Sequence, residues 1–145
     1  MEEIKIVNLY IDTSVRGPRK KKGAYGFVLE TVTAAGPVTL TKITKLEQTT
    51  EHQSLCMAIR EALQRIKKPC RVVVHTQSEY TIAAIKFWLQ TWKDADWKNK
   101  KGVEVADAES WQEIAGRNEI ELDAVSDNSH QYREWLRAET DRAAK

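Results

Sequence analysis

A helix-to-strand step near the middle of the chain limits the architectures open to it. Thr49-Thr50 supplies an N-cap, and the apolar positions Leu55, Met57, Ala58, Ile59, Ala62, Leu63 and Ile66 give a helix ending before Pro69. Cys70-Arg71-Val72-Val73-Val74-His75 then reads as a β-branched, buried strand. A buried strand reached through a helix implies a parallel crossover. Upstream, Ile4 to Asp12 alternates apolar and polar residues as a first strand, Gly23 to Leu29 is a second, and Gly36-Pro37 turns the chain into a third, Val38 to Leu46. Their short connections make these three antiparallel. Gln77 to Phe87 and Asp107 to Ala115 are expected helices, Ile120 to Val125 a last strand, and Ser129 to Ala144 a last helix. The expected class is α/β, with a mixed five-stranded sheet (three antiparallel strands, then parallel strands) flanked by helices.

With 145 residues and 41% hydrophobic content, the chain can bury one full core, so residues 1–145 are expected to form a single domain. Its net charge of +2 hides an asymmetry: residues 1–102 carry 18 bases against 10 acids, and residues 103–145 carry 5 bases against 11 acids. Five of those bases, Arg16, Arg19, Lys20, Lys21 and Lys22, lie in one Gly/Pro-containing turn, where they either are simply solvated or contact phosphates. Two cysteines without metal spacing suit a reducing compartment. The N-terminus lacks the pattern of a signal peptide and no segment is long and apolar enough for a membrane span, so a cytoplasmic location is expected.

Trp88, Trp92, Trp97 and Trp111 fall within one stretch, with Lys93, Lys98, Lys100 and Lys101 between them. Rings interleaved with lysines suit nucleic acid, through stacking and phosphate contact; they equally suit a small packed cluster.

Several segments together resemble type I ribonuclease H, the family that cuts the RNA strand of RNA/DNA hybrids. Leu9-Tyr10-Ile11-Asp12-Thr13-Ser14 is similar to its first strand ending in Asp-Gly-Ser, and Gly23-Ala24-Tyr25-Gly26 to its Gly-Gly-Tyr-Gly. Thr49-Thr50 matches its Thr-Thr, and Thr76-Gln77-Ser78-Glu79-Tyr80 stands where it has Thr-Asp-Ser-Gln-Tyr. The four tryptophans fall at the spacing of its basic handle, including the pairs Trp97-Lys98 and Trp111-Gln112. The resemblance implies an RNase H-like fold whose rings hold the handle together. It also implies nucleic-acid contact by Lys98, Lys100 and Lys101, by Thr50, and by the basic run from Arg16 to Lys22.

Hybrid cleavage in that family uses two Mg²⁺ ions held by four carboxylates, one ion activating water and the other stabilising the leaving oxygen. Asp12 stands at the first of those positions; Leu55, Gln77 and Ala138 stand at the others. One acid cannot hold two divalent ions, and an apolar Leu55 beside Asp12 disfavours a hydrated ion. Acids that could substitute are Glu51, Glu79, Glu134 and Asp141, although a helical turn of roughly 5.4 Å separates some of them from the usual positions. Glu51, His52 and Glu79 also replace the amides with which the family reads the minor groove.

Elsewhere, His52, His75 and His130 lack metal spacing, Ser14, Ser54 and Ser78 have no visible base partner, and Gly23 and Gly26 belong to a hairpin. The preferred expectation is a nucleic-acid-binding domain with lost or severely weakened hydrolysis. Two alternatives stay open: an active or atypical ribonuclease H needing Mg or Mn, and a protein-interaction module whose surface is the acidic C-terminal third.

Overall fold

The computed structural model describes residues 5–145, and Ile4, the expected opening of the first strand, lies outside them. Strands β1 (Ile6–Thr13), β2 (Lys21–Thr33) and β3 (Gly36–Thr49) form an antiparallel meander. Helix α1 (Glu51–Leu63) crosses to β4 (Cys70–Thr76), which pairs parallel to β1, and β5 (Ile120–Ser126) pairs parallel to β4. The sheet order is β3-β2-β1-β4-β5. The mixed five-stranded sheet expected from the sequence is therefore present.

Side-chain alternation along β1 divides the sheet's two faces. Leu9 and Ile11 point to one face, packing with Phe27, Val72, Val74, Ile59 and Trp111 in the main core beneath α1 and α4 (Ala108–Ala115). Tyr10 points to the other, where Val28 and Leu136 pack it against α5 (Arg133–Ala143). Thr50 caps α1 by accepting the Gln53 N–H at 3.1 Å, which satisfies one of the donors left open at a helix start.

Four elements depart from expectation. The second and third strands are longer, because β2 and β3 extend past the core as a two-stranded ribbon with Val32 and Val38 exposed. The helix beginning after Ser78 does not stop at Phe87. It runs as α2 (Glu79–Ala83), a π-helical turn (Ala84–Trp88) and α3 (Leu89–Asp94), so Trp88 and Trp92 belong to one helical run. The last helix begins at Arg133 rather than Ser129, since Asp127 to Tyr132 form a loop held by the Asp127 and His130 side chains accepting backbone N–H groups.

Gly26, directly opposite Asp12 in the β1–β2 register, sits under α5. A Cβ there would lie 2.5 Å from Ile43 Cδ1, 3.2 Å from Leu136 Cδ2 and 3.3 Å from Thr140 Cγ2. Gly26→Ala is expected to destabilise the fold by about 1–3 kcal/mol, read as a lowered urea midpoint. An unchanged midpoint would mean that α5 is not packed this closely.

Candidate nucleic-acid interface

A cleft of about 240 Å³ opens where β1 and β4 end, the usual place for ligands in sheets with parallel strands. Asp12, from the end of β1, lies at its floor and accepts the Thr13 backbone N–H at 2.8 Å. Two guanidinium groups flank its carboxylate: Arg16 Nη2 at 3.6 Å from Oδ1, and Arg137 Nε at 3.5 Å from Oδ2. Arg133 adds a third cation to this lining, with His130 beside it, and buried Leu55 forms an apolar wall. Thr76, Gln77 and Ser78 line the β4 side.

Ala138 does not reach this cleft; it faces solvent. Leu136 and Thr140 form the buried stripe of α5, and that rotation turns Arg133 and Arg137, four residues apart, toward Asp12. The sequence reading missed both arginines because it followed the alignment with an acid position. Their i, i+4 spacing, offset from the apolar stripe, was the available signal.

Of the acids considered as replacements, Glu51 alone joins Asp12 in lining the cleft. Its Oε1 already accepts the Gly17 N–H at 2.9 Å. Glu79, Glu134 and Asp141 are exposed and outside the lining. Among the described residues no three His, Cys, Asp or Glu side chains are arranged to hold a metal ion. Hard divalent ions need several oxygen donors, whereas the carboxylate here is already between two cations. The donor set does not fit a two-ion centre.

Beside the cleft, His75 is more than a packed strand-end residue. Its Nδ1 lies 2.8 Å from Asp127 Oδ2 and its Nε2 2.9 Å from Asn8 Oδ1, with its ring stacked on Tyr10 at 4.4 Å. Tyr10 in turn donates to buried Glu30, which also accepts from Tyr132 and Gln131. Burial and the Glu30 carboxylate push the Tyr10 phenol up to about 12. Burial alone would raise the Asp127 pKa, but the Ser129 N–H and His75 outweigh it and hold Asp127 below its ordinary 3.8. For His130 burial dominates and holds the imidazole below 6.5, against the pull of Asp127. The Tyr132 N–H donating to Nδ1 at 3.2 Å agrees with a neutral ring, because an imidazolium would have no lone pair there.

The basic turn stands at the cleft's edge. Gly17, at φ +86, donates to Glu51 and accepts the Glu51 backbone N–H at 3.3 Å, tying the turn to the start of α1. Arg19, Lys20, Lys21 and Lys22 are exposed; Lys21 and Lys22 already belong to β2. Thr50 is half-buried, its hydroxyl committed to capping.

Along the tryptophan stretch, Trp111 is 1% exposed and packs at 6.0 Å from Trp92, which stacks on Trp88 at 6.4 Å. Trp97 takes a left-handed φ of 62, and Lys98 bridges to Glu104 in a short antiparallel link that presents Lys98, Lys100 and Lys101 to solvent. Trp88, however, is 47% exposed beside Phe87, so not every ring is internal packing.

A family model for RNase H matches residues 4–134. The chain belongs to the RNase H family. A ribonuclease H of Rhodopirellula baltica is 34% identical over 116 residues, covering 76% of this chain and 70% of the relative. Ribonuclease H of Bordetella pertussis is 36% identical over 77 residues, covering 51% of this chain and 50% of the relative, so the chain spans about half the length of the first such relatives it matches. Among solved structures, LC9-RNase H1, a type 1 RNase H with the type 2 active-site motif, superposes with a TM-score of 0.77 at 23% identity, over 99% of this chain and 74% of that one. A foamy viral protease-reverse transcriptase in complex with RNA/DNA hybrid gives a TM-score of 0.72 at 14% identity, over 97% of this chain and 20% of that one. These two likenesses establish the RNase H fold. No helix among the described residues is long and apolar enough to cross a membrane.

Two outcomes follow from the geometry. Trp111→Ala should cost about 3–5 kcal/mol in urea unfolding, and Trp88→Ala far less; equal costs would mean that the two rings share one environment. In an imidazole NMR titration His130 should show a midpoint below 6.5. Since the unfolded ring gains its proton first as pH falls, His130 contributes stability that is complete above about pH 6.5 and declines as pH drops through the folded value. A midpoint at or above 6.5 would contradict its burial.

Proposed function

We propose that this chain is an RNase H-fold nucleic-acid-binding domain, acting on RNA/DNA hybrid or duplex, in which hydrolysis is lost or severely weakened. The observation that carries the reading is the ion-paired state of Asp12: its neighbours are Arg16 and Arg137, where cleavage in the family calls for acids and Mg²⁺ or Mn²⁺. The binding half rests on exposed cations. Arg19 and Lys20 to Lys22 are exposed in the turn that follows the cleft-lining Arg16, and Lys98, Lys100 and Lys101 are exposed along the tryptophan stretch. Neutralising backbone phosphates with such groups releases counterions and makes affinity fall with salt. The foamy viral enzyme solved with an RNA/DNA hybrid, and its counterpart solved with dsDNA, support this partner class for the fold. Residues 1–145 act as one unit in this reading. The buried free thiols Cys56 and Cys70 suit a reducing, cytoplasmic setting.

The test combines two assays on labelled RNA/DNA hybrid. Binding should be salt-sensitive, and replacing Lys20, Lys21 and Lys22 by Ala should flatten the slope of log affinity against log salt by about 0.9 for each phosphate no longer neutralised. Incubation with Mg²⁺ or Mn²⁺ should give little or no cleavage. Metal-dependent cleavage that disappears in Asp12→Asn would overturn the loss of hydrolysis; absence of salt-sensitive binding to hybrid and duplex would overturn the binding role.

A further inference from the structure

We infer that the cleft itself is a phosphate site that works without metal: Arg133 and Arg137, with Arg16, hold a phosphodiester of the bound strand over Asp12. This rests on the nucleic-acid-binding reading above, and adds where and how the backbone is gripped.

The charges lining the cleft are already sorted into partners, with one exception. Asp12 is shared by Arg16 and Arg137, Glu51 receives the Gly17 N–H, and Asp127 is joined to His75. Arg133 forms no ion pair among the described residues, and its buried Nε donates to nothing. The Nε of Arg137 is likewise buried without a hydrogen bond, because its 3.5 Å approach to Asp12 is electrostatic rather than well-aligned donation. Both side chains line the same polar cleft, and each keeps a buried Nε without an acceptor. A buried unsatisfied donor is costly, and a shift of either guanidinium toward an acceptor entering the cleft relieves that cost.

The chemistry of the donors selects the ligand. Guanidinium groups present planar forks that match the oxygens of a phosphate, and they carry charge at every physiological pH. Asp12 excludes nothing from this arrangement, since two cations share its single charge. It does compete, however: each guanidinium drawn to the carboxylate is less available to a phosphate. The lining sets three guanidiniums, Arg16, Arg133 and Arg137, against three carboxylates, Asp12, Glu51 and Asp127, a balance that favours a singly charged phosphodiester over a doubly charged terminal phosphate.

The decisive experiment is anisotropy titration of labelled RNA/DNA hybrid at matched ionic strength, in EDTA and in Mg²⁺. Wild-type affinity should be the same in both. Arg133→Ala should weaken binding about tenfold, the worth of one charge-assisted hydrogen bond, and should lower the salt slope by about 0.9, the share of a single phosphate. Arg142→Ala removes the same charge from the far end of α5, where Arg142 pairs with Glu139 at 3.0 Å, and should change affinity much less. Asp12→Asn should tighten binding severalfold by releasing Arg137, and Arg16 in part since its Nη1 still donates to the Thr13 and Val15 carbonyls, a direction opposite to that of a metal ligand. Hybrids with 5′-phosphate and 5′-hydroxyl ends should bind alike; a preference for the phosphorylated end would overturn the phosphodiester assignment. Binding that requires Mg²⁺, or that is indifferent to Arg133 and weakened by Asp12→Asn, would overturn the site while leaving the binding role intact. Failure of the wild type to bind hybrid at all would overturn both. Because Arg133 has no ion-pair partner among the described residues and its buried Nε is unsatisfied, its variant should unfold at or above the wild-type urea concentration, so weakened binding reports the phosphate grip itself.

Discussion

Strand β1 is hydrogen-bonded on both edges and covered on both faces, and the remaining structure is arranged around that double burial. With β2 antiparallel on one side and β4 parallel on the other, its backbone has no freedom to slip, since a one-residue shift would exchange every side chain between faces. Odd-numbered residues feed the core under α1 and α4, and even-numbered ones meet α5. Thr13 shows the same constraint at the strand's end: its hydroxyl is reached by Ser54 of α1 at 2.8 Å, fixing the first helix to the strand from which Asp12 projects. The cleft is thus placed by the sheet before any charged group is considered.

Within the cleft, the cations beside Asp12 are guanidinium groups. A divalent ion would ask for several carboxylates and would hold them by direct coordination. Guanidinium groups need only one carboxylate between them, and they bring their own hydrogen bonds. Both arginine side chains remain partly solvated, about 46% and 41% exposed, so their pairing with Asp12 is screened and contributes little to folding. Its importance lies in setting the potential of the cleft. The His75–Asp127 pair and the Glu30 cluster work differently: they are less accessible, densely hydrogen-bonded, and fix the loop that delivers His130 and α5.

The sheet order and most element boundaries were legible because periodicity and turn residues report burial directly. The valines of β4 and the alternation in β1 both record which faces are covered. The π-helical turn was not legible, since Ala84 to Trp88 carry no breaker and differ from an α-helix only in how the backbone accommodates packing. Position along α5 was the costly miss for the site. Counting residues from β5 placed Ala138 beside Asp12, but the rotation of the helix is decided by how Leu136 and Thr140 seat on the sheet, a tertiary choice with no local marker. Likewise Glu51 looked like a spare acid, and its tie to Gly17 depends on a turn folding back from far along the chain.

Gly26 links the packing of the fold to the electrostatics of the cleft. It bears no charge and touches no ligand, yet the missing side chain is what lets α5 settle onto the sheet directly across from Asp12. It therefore acts as a spacer of zero thickness. The field felt at the cleft depends on how high α5 rides, and that height is set at a position with no ionisable atom. A change at this one inert residue under the helix would therefore alter the potential around Asp12 while leaving every arginine in place.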